Sequence, residues 1–160
     1  MPDDEEGVIF EPEWPVFGVS WHDAVAYCEW RSGVEAWTCR LPGDLEWEKM
    51  ARGVDGRVFP WGNGFDATFC KMDTSRAGKP QPEPVGTFSG DESIYGVRDV
   101  AGCIREWCSD WKIEPKTRVV RGGSWSNPQM SCRCAYRASC EPYLVYQFIG
   151  FRVAHDLPRR

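Results

Sequence analysis

The sequence predicts an α+β domain with two helices, short antiparallel strands and much irregular coil. Three observations carry this. Two helix-starting signals lie in the first third of the chain, Gly and Pro crowd the stretch from Gly53 to about Asp91, and two β-like runs stand near the end. The 160 residues are enough for one domain with its own core. We read residues 1–14 as a lead-in and 15–156 as that domain.

The elements follow in order. Val16–Val19 is short and β-like. Ser20 stands where an N-cap belongs, with Asp23 in the first turn in place of the usual Glu of a capping box. The helix "WHDAVAYCEWRS" follows, with Ala24, Val25 and Cys28 on one face, and Gly33 is expected to stop it. A second helix starts near Asp44, with Leu45, Trp47 and Met50 towards the core and Gly53 as its end. Asp44, Glu46 and Glu48 favour its N-terminal half through the helix dipole. Phe59, Trp61, Phe65, Phe69 and Phe88 are spread through the Gly/Pro-rich middle, which therefore reads as ordered loops. "VRDVAGCIREWCSDW" mixes signals of a short helical turn and a loop. "TRVVRGGSW" and "IGFRVAH" are expected to pair as neighbouring antiparallel strands.

Composition removes several function classes. Net charge is −5, with no concentrated basic face, so nucleic acid is not an expected partner. Nothing approaches a run of eighteen apolar residues, so no membrane span is expected. "MPDDEEG" is not a secretory leader, which points to the cytoplasm unless the chain belongs to a larger protein. Nine tryptophans suggest irregular chain pinned by aromatic packing. Most of the eight cysteines are expected to be reduced thiols acting as small apolar residues. With only His22 and His155, a tetrahedral Cys/His zinc spacing is not expected. No Ser-His-Asp order, phosphate loop or HExxH motif is visible.

Five blocks occur in order: "PVFGVSWHDAVAYCEWRS", "CRLPGDLEWEKMARG", "FPWGNGFD", "YGVRDVAGCIREWCSDW" and "VVRGGSW…IGFRVA". Together they resemble the signature of the formylglycine-generating-enzyme, or sulfatase-modifying-factor, domain. The resemblance implies a variant of the C-type lectin fold, here in shortened form. It also implies several activities. The named enzyme oxidises a substrate cysteine to formylglycine with copper and oxygen. Others of the family are domains of bacterial Ser/Thr kinases and of ergothioneine-pathway oxygenases, or the variable proteins of diversity-generating retroelements.

The copper chemistry needs two cysteines five residues apart after "GGSW", because a linear pair of soft sulfurs holds Cu(I). Asn127 and Cys132 stand at those positions, so only the second thiol is present and copper is not expected. Calcium is implied by the family as well. Where relatives read "GNVWEW" this chain has "GCIREW", and Cys103 replaces an oxygen donor that a hard cation wants. Glu106 reads as a core hydrogen-bond or ion-pair partner. The expectation is no catalytic residue and no cofactor.

Between "GGSW" and "IGFR" the chain is similar to the retroelement variable proteins. There, adenine mutagenesis of Asn codons cannot reach Gln, Glu, Lys, Met or Trp. Ser126, Asn127, Pro128, Ser131, Tyr136, Ala138, Cys140, Leu144, Tyr146 and Phe148 all belong to the reachable set. Cys132, Arg133, Ala135, Arg137 and Pro142 read as a fixed frame, while Gln147 counts against the pattern. The expected ligand-binding residues are Trp125, Ser126, Asn127, Ser131, Tyr136, Ala138, Cys140, Leu144, Tyr146 and Phe148. The expected partner is a protein or peptide, with the side chains of 126–148 displayed on a rigid frame.

Overall fold

The computed structural model describes residues 12–78 and 80–156. Most of the expected lead-in therefore lies outside the described residues. The architecture is α+β, with two helices, a four-stranded sheet, a two-stranded sheet and long ordered coil.

Helix α1 spans Trp21–Val34. Ser20 caps it as the sequence predicts: the Asp23 N–H donates to the Ser20 hydroxyl oxygen, and the Asp23 carboxylate accepts from the Ser20 N–H. Gly33 does not stop the helix. It lies inside the last turn, and the chain leaves at Glu35, whose N–H donates to the Arg31 carbonyl. The Arg31–Glu35 ion pair spans that turn at 2.7 Å and supports it. Ala24 and Cys28 are buried, one turn apart on the core face.

Strand β1 is Thr38–Arg40, and helix α2 is Asp44–Arg52. Asp44, Trp47 and Ala51 form the buried face of α2. Leu45, expected in the core, is 80 % exposed. One residue on from Asp44 is a turn of about 100° around a helix, which carries Leu45 off the core face.

Strand β2 is Arg105–Ile113 and β3 is Thr117–Arg121. A 3-10 helix follows at Gln129–Cys132, then β4 at Arg137–Cys140, β5 at Ile149–Gly150 and β6 at Ala154–Asp156. The four-stranded sheet runs β4-β3-β2-β5, with β2 and β5 parallel and the other pairs antiparallel. Two expectations are corrected here. "REWCSDWKI", from Arg105 to Ile113, is the long interior strand, not a helical turn or loop. It lies between the two β-like runs, which therefore do not pair with each other. The second run splits, β5 staying in the large sheet and β6 pairing with β1.

The middle of the large sheet, at Glu106–Cys108 and Val119–Arg121, is buried on both faces, which explains the hidden strand period. Trp107 and Val120 pack on one side with Ala24, Cys28 and Ile149. Cys108 and Val119 pack on the other with Trp47, Val100 and Cys134. Glu106 is 3 % exposed because the Trp47 indole N–H donates to it at 2.6 Å and Arg152 pairs with it at 2.6 Å. A strand that buries a paired carboxylate between apolar faces shows no polar/apolar alternation.

The coil is pinned by aromatics, as the tryptophan content suggests. Phe59 and Trp61 stack at 5.2 Å, and Trp61 meets Phe69 edge-on. Gly122 and Gly123 let the chain leaving β3 run against a neighbouring segment. Gly122 has φ +74°, and a Cβ on Gly123 would lie 2.8 Å from the Ala101 carbonyl oxygen.

Candidate functional site

The interval 126–148 starts from a tightly held base. Gly123 and Trp125 donate backbone N–H groups to the carbonyls of Ala101 and Cys103. Arg121, 1 % exposed, reaches under the interval. It pairs with Asp44 at 2.5 Å and Glu48 at 2.7 Å, and donates to the carbonyls of Cys134 and Tyr136. Arg137 pairs with the second Asp44 oxygen at 2.6 Å. Two guanidiniums thus hold one buried carboxylate, fixing the path from β3 to β4.

Above this base, one residue that the sequence reading missed gathers several that it named. Arg105, at the start of β2, donates through Nε to Asn127 Oδ1 at 2.7 Å. Its guanidinium lies 5.4 Å from the Tyr136 ring and 5.8 Å from the Phe148 ring, within cation–π range. Asn127 Oδ1 also accepts from the Ser124 hydroxyl at 2.8 Å, and the Ser124 and Ser126 hydroxyls are 3.1 Å apart. The Tyr146 and Phe148 rings are 5.7 Å apart. Ser126, Asn127, Tyr136, Tyr146 and Phe148 are therefore one half-buried cluster around Arg105. The signal was present in the sequence: "GCIREW" puts Arg where relatives read Trp, and a cation at an inward position needs partners.

The other named residues divide. Ala138, Cys140, Tyr146 and Phe148 pack partly against the core. Ser131 is 4 % exposed, beside Cys132 in the 3-10 helix. Its burial removes it from any displayed surface, a correction to the expected set, because the 3-10 turn directs it inward. Trp125 is half-buried, and its indole N–H meets no acceptor among the described residues. Leu144 is 37 % exposed, between Tyr143 at 66 % and Val145 at 58 %. These three form an exposed apolar run whose outer two members were not named as site residues.

The two positions at which the resemblance implies copper donors have different surroundings. Asn127 offers an amide oxygen already engaged by Arg105 and Ser124. Cys132, 1 % exposed, packs in a cluster with Cys70, Phe59 and Met72. Cys28, Cys70, Cys103, Cys108 and Cys134 are buried as small core groups, and Cys140 is half-buried. Burial pushes Cys134 up to about 12 and Cys103 up to about 11, away from the thiolate form. Hydrogen bonding to Cys132, then burial, raises Cys70 far above the ordinary thiol range. At the position discussed for calcium, Cys103 has φ +69°, a conformation that Asn tolerates better than Cys. Its thiol donates to the Glu83 carbonyl at 3.5 Å, and the Glu83 carboxylate pairs with the buried Lys71 ammonium at 3.0 Å. That corner supplies a sulfur and a fixed cation, which suits a hard divalent cation poorly.

A cleft of about 530 Å³ adjoins this corner, lined by residues that include Val16, Tyr27, Arg31, Cys103, Glu106 and Phe151. None of its lining residues belongs to 126–148. No described helix is long and apolar enough to cross a membrane.

Comparison with known proteins places these features in a family. The chain is 34 % identical over 179 aligned positions to the formylglycine-generating enzyme of Bos taurus, covering 93 % of this chain and 46 % of that one. It is 34 % identical to the inactive Cα-formylglycine-generating enzyme 2 of Bos taurus, covering 96 % of this chain and 54 % of that protein. It is 33 % identical to the serine/threonine-protein kinase Pkn1 of Chlamydia trachomatis, covering 94 % of this chain and 26 % of the kinase. The chain thus spans about half the length of the first of these relatives. These relatives include a named enzyme and a protein named inactive.

Among solved structures, PvdO from Pseudomonas aeruginosa superposes with a TM-score of 0.81 at 26 % identity, over 92 % of this chain and 64 % of that one. Treponema denticola variable protein 1 superposes with a TM-score of 0.76 at 21 % identity, over 88 % and 70 %. The fold is therefore the C-type lectin variant that the signature blocks imply. The sulfatase-modifying factor enzyme 1-like domain matches residues 3–157, and this chain is a member of that family.

Proposed function

We propose that this chain is a non-catalytic ligand-binding domain that uses the outer side chains of 126–148 to hold a protein or peptide. The observation that carries this is the state of Asn127. At the position of the first copper thiolate, its amide oxygen is held by Arg105 and Ser124. The position belongs to a cationic, hydrogen-bonded cluster, which supports this reading over a soft-metal site. The exposed Tyr143–Val145 run supports the reading. It puts an aromatic ring and two aliphatic side chains on a loop anchored at both ends, a composition suited to protein contact. The fold shared with a variable protein is consistent with it.

The test has two arms. The protein is first incubated with Cu(I), oxygen and a cysteine-containing peptide, and the expected result is no oxygen-dependent loss of the peptide thiol. It is then panned against a displayed peptide library. Selected peptides are expected to bind wild type and to lose affinity when Tyr143 and Leu144 are both changed to Ala. Turnover of the peptide thiol would overturn the non-catalytic reading, and unchanged binding by the double variant would overturn the surface.

A second reading has its own observation. Alignment of nearly the whole chain with about a quarter of a serine/threonine kinase supports a domain of a signalling protein. Sequencing the surrounding DNA separates the two. A near copy of codons 118–152 differing at adenines favours retroelement diversification, whereas an upstream kinase frame favours the sensor.

A further inference from the structure

Away from this interval, three side chains with metal-ligand chemistry meet at the end of α1. Cys39 and His155 are direct partners across the β1–β6 ladder. Glu35 caps the C-terminus of α1, four residues before Cys39. Cys39 Sγ lies 3.5 Å from His155 Nδ1 and 3.7 Å from Glu35 Oε2. His155 Nδ1 lies 3.9 Å from Glu35 Oε2. No spacing rule would find this set, because its two β residues are 116 positions apart in sequence.

The size of this triangle matters. Zinc bonds of about 2.3 Å to sulfur and about 2.0–2.2 Å to nitrogen and oxygen, at tetrahedral angles, give donor–donor edges of roughly 3.3–3.6 Å. The two sulfur edges are close to that span, and the His155–Glu35 edge closes to it with a shift of about half an ångström. The outer contacts are in place as well. Arg31 Nε donates to the other Glu35 oxygen at 2.7 Å, turning Oε2 towards Cys39 and His155. The Ser32 hydroxyl oxygen accepts from the Cys39 N–H at 2.8 Å and fixes the strand that carries the thiol. Cys39 is 5 % exposed whereas the His155 side chain is 40 % exposed, so the sulfur forms the floor and the imidazole the rim. A hollow of about 500 Å³, lined by Glu35, Ala36, Trp37 and His155, opens above them.

We propose that Glu35, Cys39 and His155 form a zinc site with three protein ligands and a fourth position open to this hollow. A thiolate, an imidazole and a carboxylate are the donor set that Zn²⁺ accepts at such spacing. The bound ion would clamp the end of α1 to β1 and β6. Without it, the Cys39 thiol donates to Glu35.

The experiment uses the whole 160-residue chain, stripped with chelator and then titrated with Zn²⁺ against a chromophoric competitor. The expected result is one equivalent bound by wild type and by Cys140→Ser, and none by Cys39→Ser or His155→Gln. Arg31→Gln, which releases Glu35, is expected to weaken binding about 10–100-fold. Replacing zinc with Co²⁺ is expected to give a thiolate-to-metal charge-transfer band in wild type that Cys39→Ser lacks. His155→Gln alters an exposed side chain and is checked for a cooperative thermal transition, so loss of binding is distinguishable from loss of fold. No stoichiometric zinc on wild type, or the same stoichiometry in His155→Gln, overturns the site.

Discussion

Residues 126–134 and residues 141–147 belong to the same interval and leave the same sheet, yet they are built differently. In the first stretch Ser131, Cys132 and Cys134 are buried, and backbone N–H groups are spent on fixed partners, such as Cys134 on the Val58 carbonyl. Below it lies the Arg121–Asp44–Arg137 network. In the second stretch Tyr143, Leu144 and Val145 stand in solvent, between the buried Pro142 and Ile149. The difference teaches where this domain can change its surface cheaply. A side chain whose backbone is anchored at both ends but whose own atoms touch little can be exchanged, and a side chain that completes a buried network cannot.

The largest effect should break the anchored half. Arg121→Ala leaves Asp44 buried with only Arg137 as cationic partner, and a loss of about 3–5 kcal/mol in urea unfolding is expected. Beneath the same half, Asp91 accepts hydrogen bonds from the N–H groups of Ala101 and Gly102. Burial pushes its carboxyl up to about 7. Between about pH 4 and 7 the folded state therefore keeps a proton that the unfolded chain has released. Stability should fall as pH rises through that window, by at most about 1.4 kcal/mol per pH unit from this group. Asp91→Asn is expected to flatten that part of the profile of unfolding midpoint against pH.

Arg105→Met tests the link between the first half and the residue that follows the second, since Arg105 touches both Asn127 and Phe148. A cost of about 1 kcal/mol is expected, shared with Asn127→Ala in a double-mutant cycle. Additive costs would show that the two side chains do not act together. The smallest effect belongs to the exposed run. Tyr143→Ala, Leu144→Ala and Val145→Ala should each change stability by no more than about 0.5 kcal/mol. A larger change would mean that this stretch is packed like the first, and would erase the contrast.

Much of the frame was legible from local signals. Ser20 and Asp23 announced the start of α1, and Gly53 the end of α2, because capping chemistry acts over three or four residues. The ordered blocks carried the family and hence the fold. What was illegible depended on partners far along the chain. Leu45 looked like a core residue and is exposed, since the inward face of α2 is chosen by Asp44 meeting Arg121. Ser131 looked displayed and is buried, since the 3-10 turn points it inward. Arg105 looked like one charge in a mixed segment until Tyr136, Phe148 and Asn127 closed around it.

The sequence by itself determined the helix starts, the family, the aromatic pinning of the coil and the mismatch at the copper positions, because each rests on residue identity or short-range spacing. Tertiary structure alone decided that β2 separates the two β-like runs, that Trp47 and Arg152 are the partners of the core carboxylate Glu106, and that Glu35, Cys39 and His155 share one corner. The physical reason is the same in each case. Burial of a charge, or the meeting of three donors, is a property of residues distant in sequence, and only the folded chain brings them within a few ångströms.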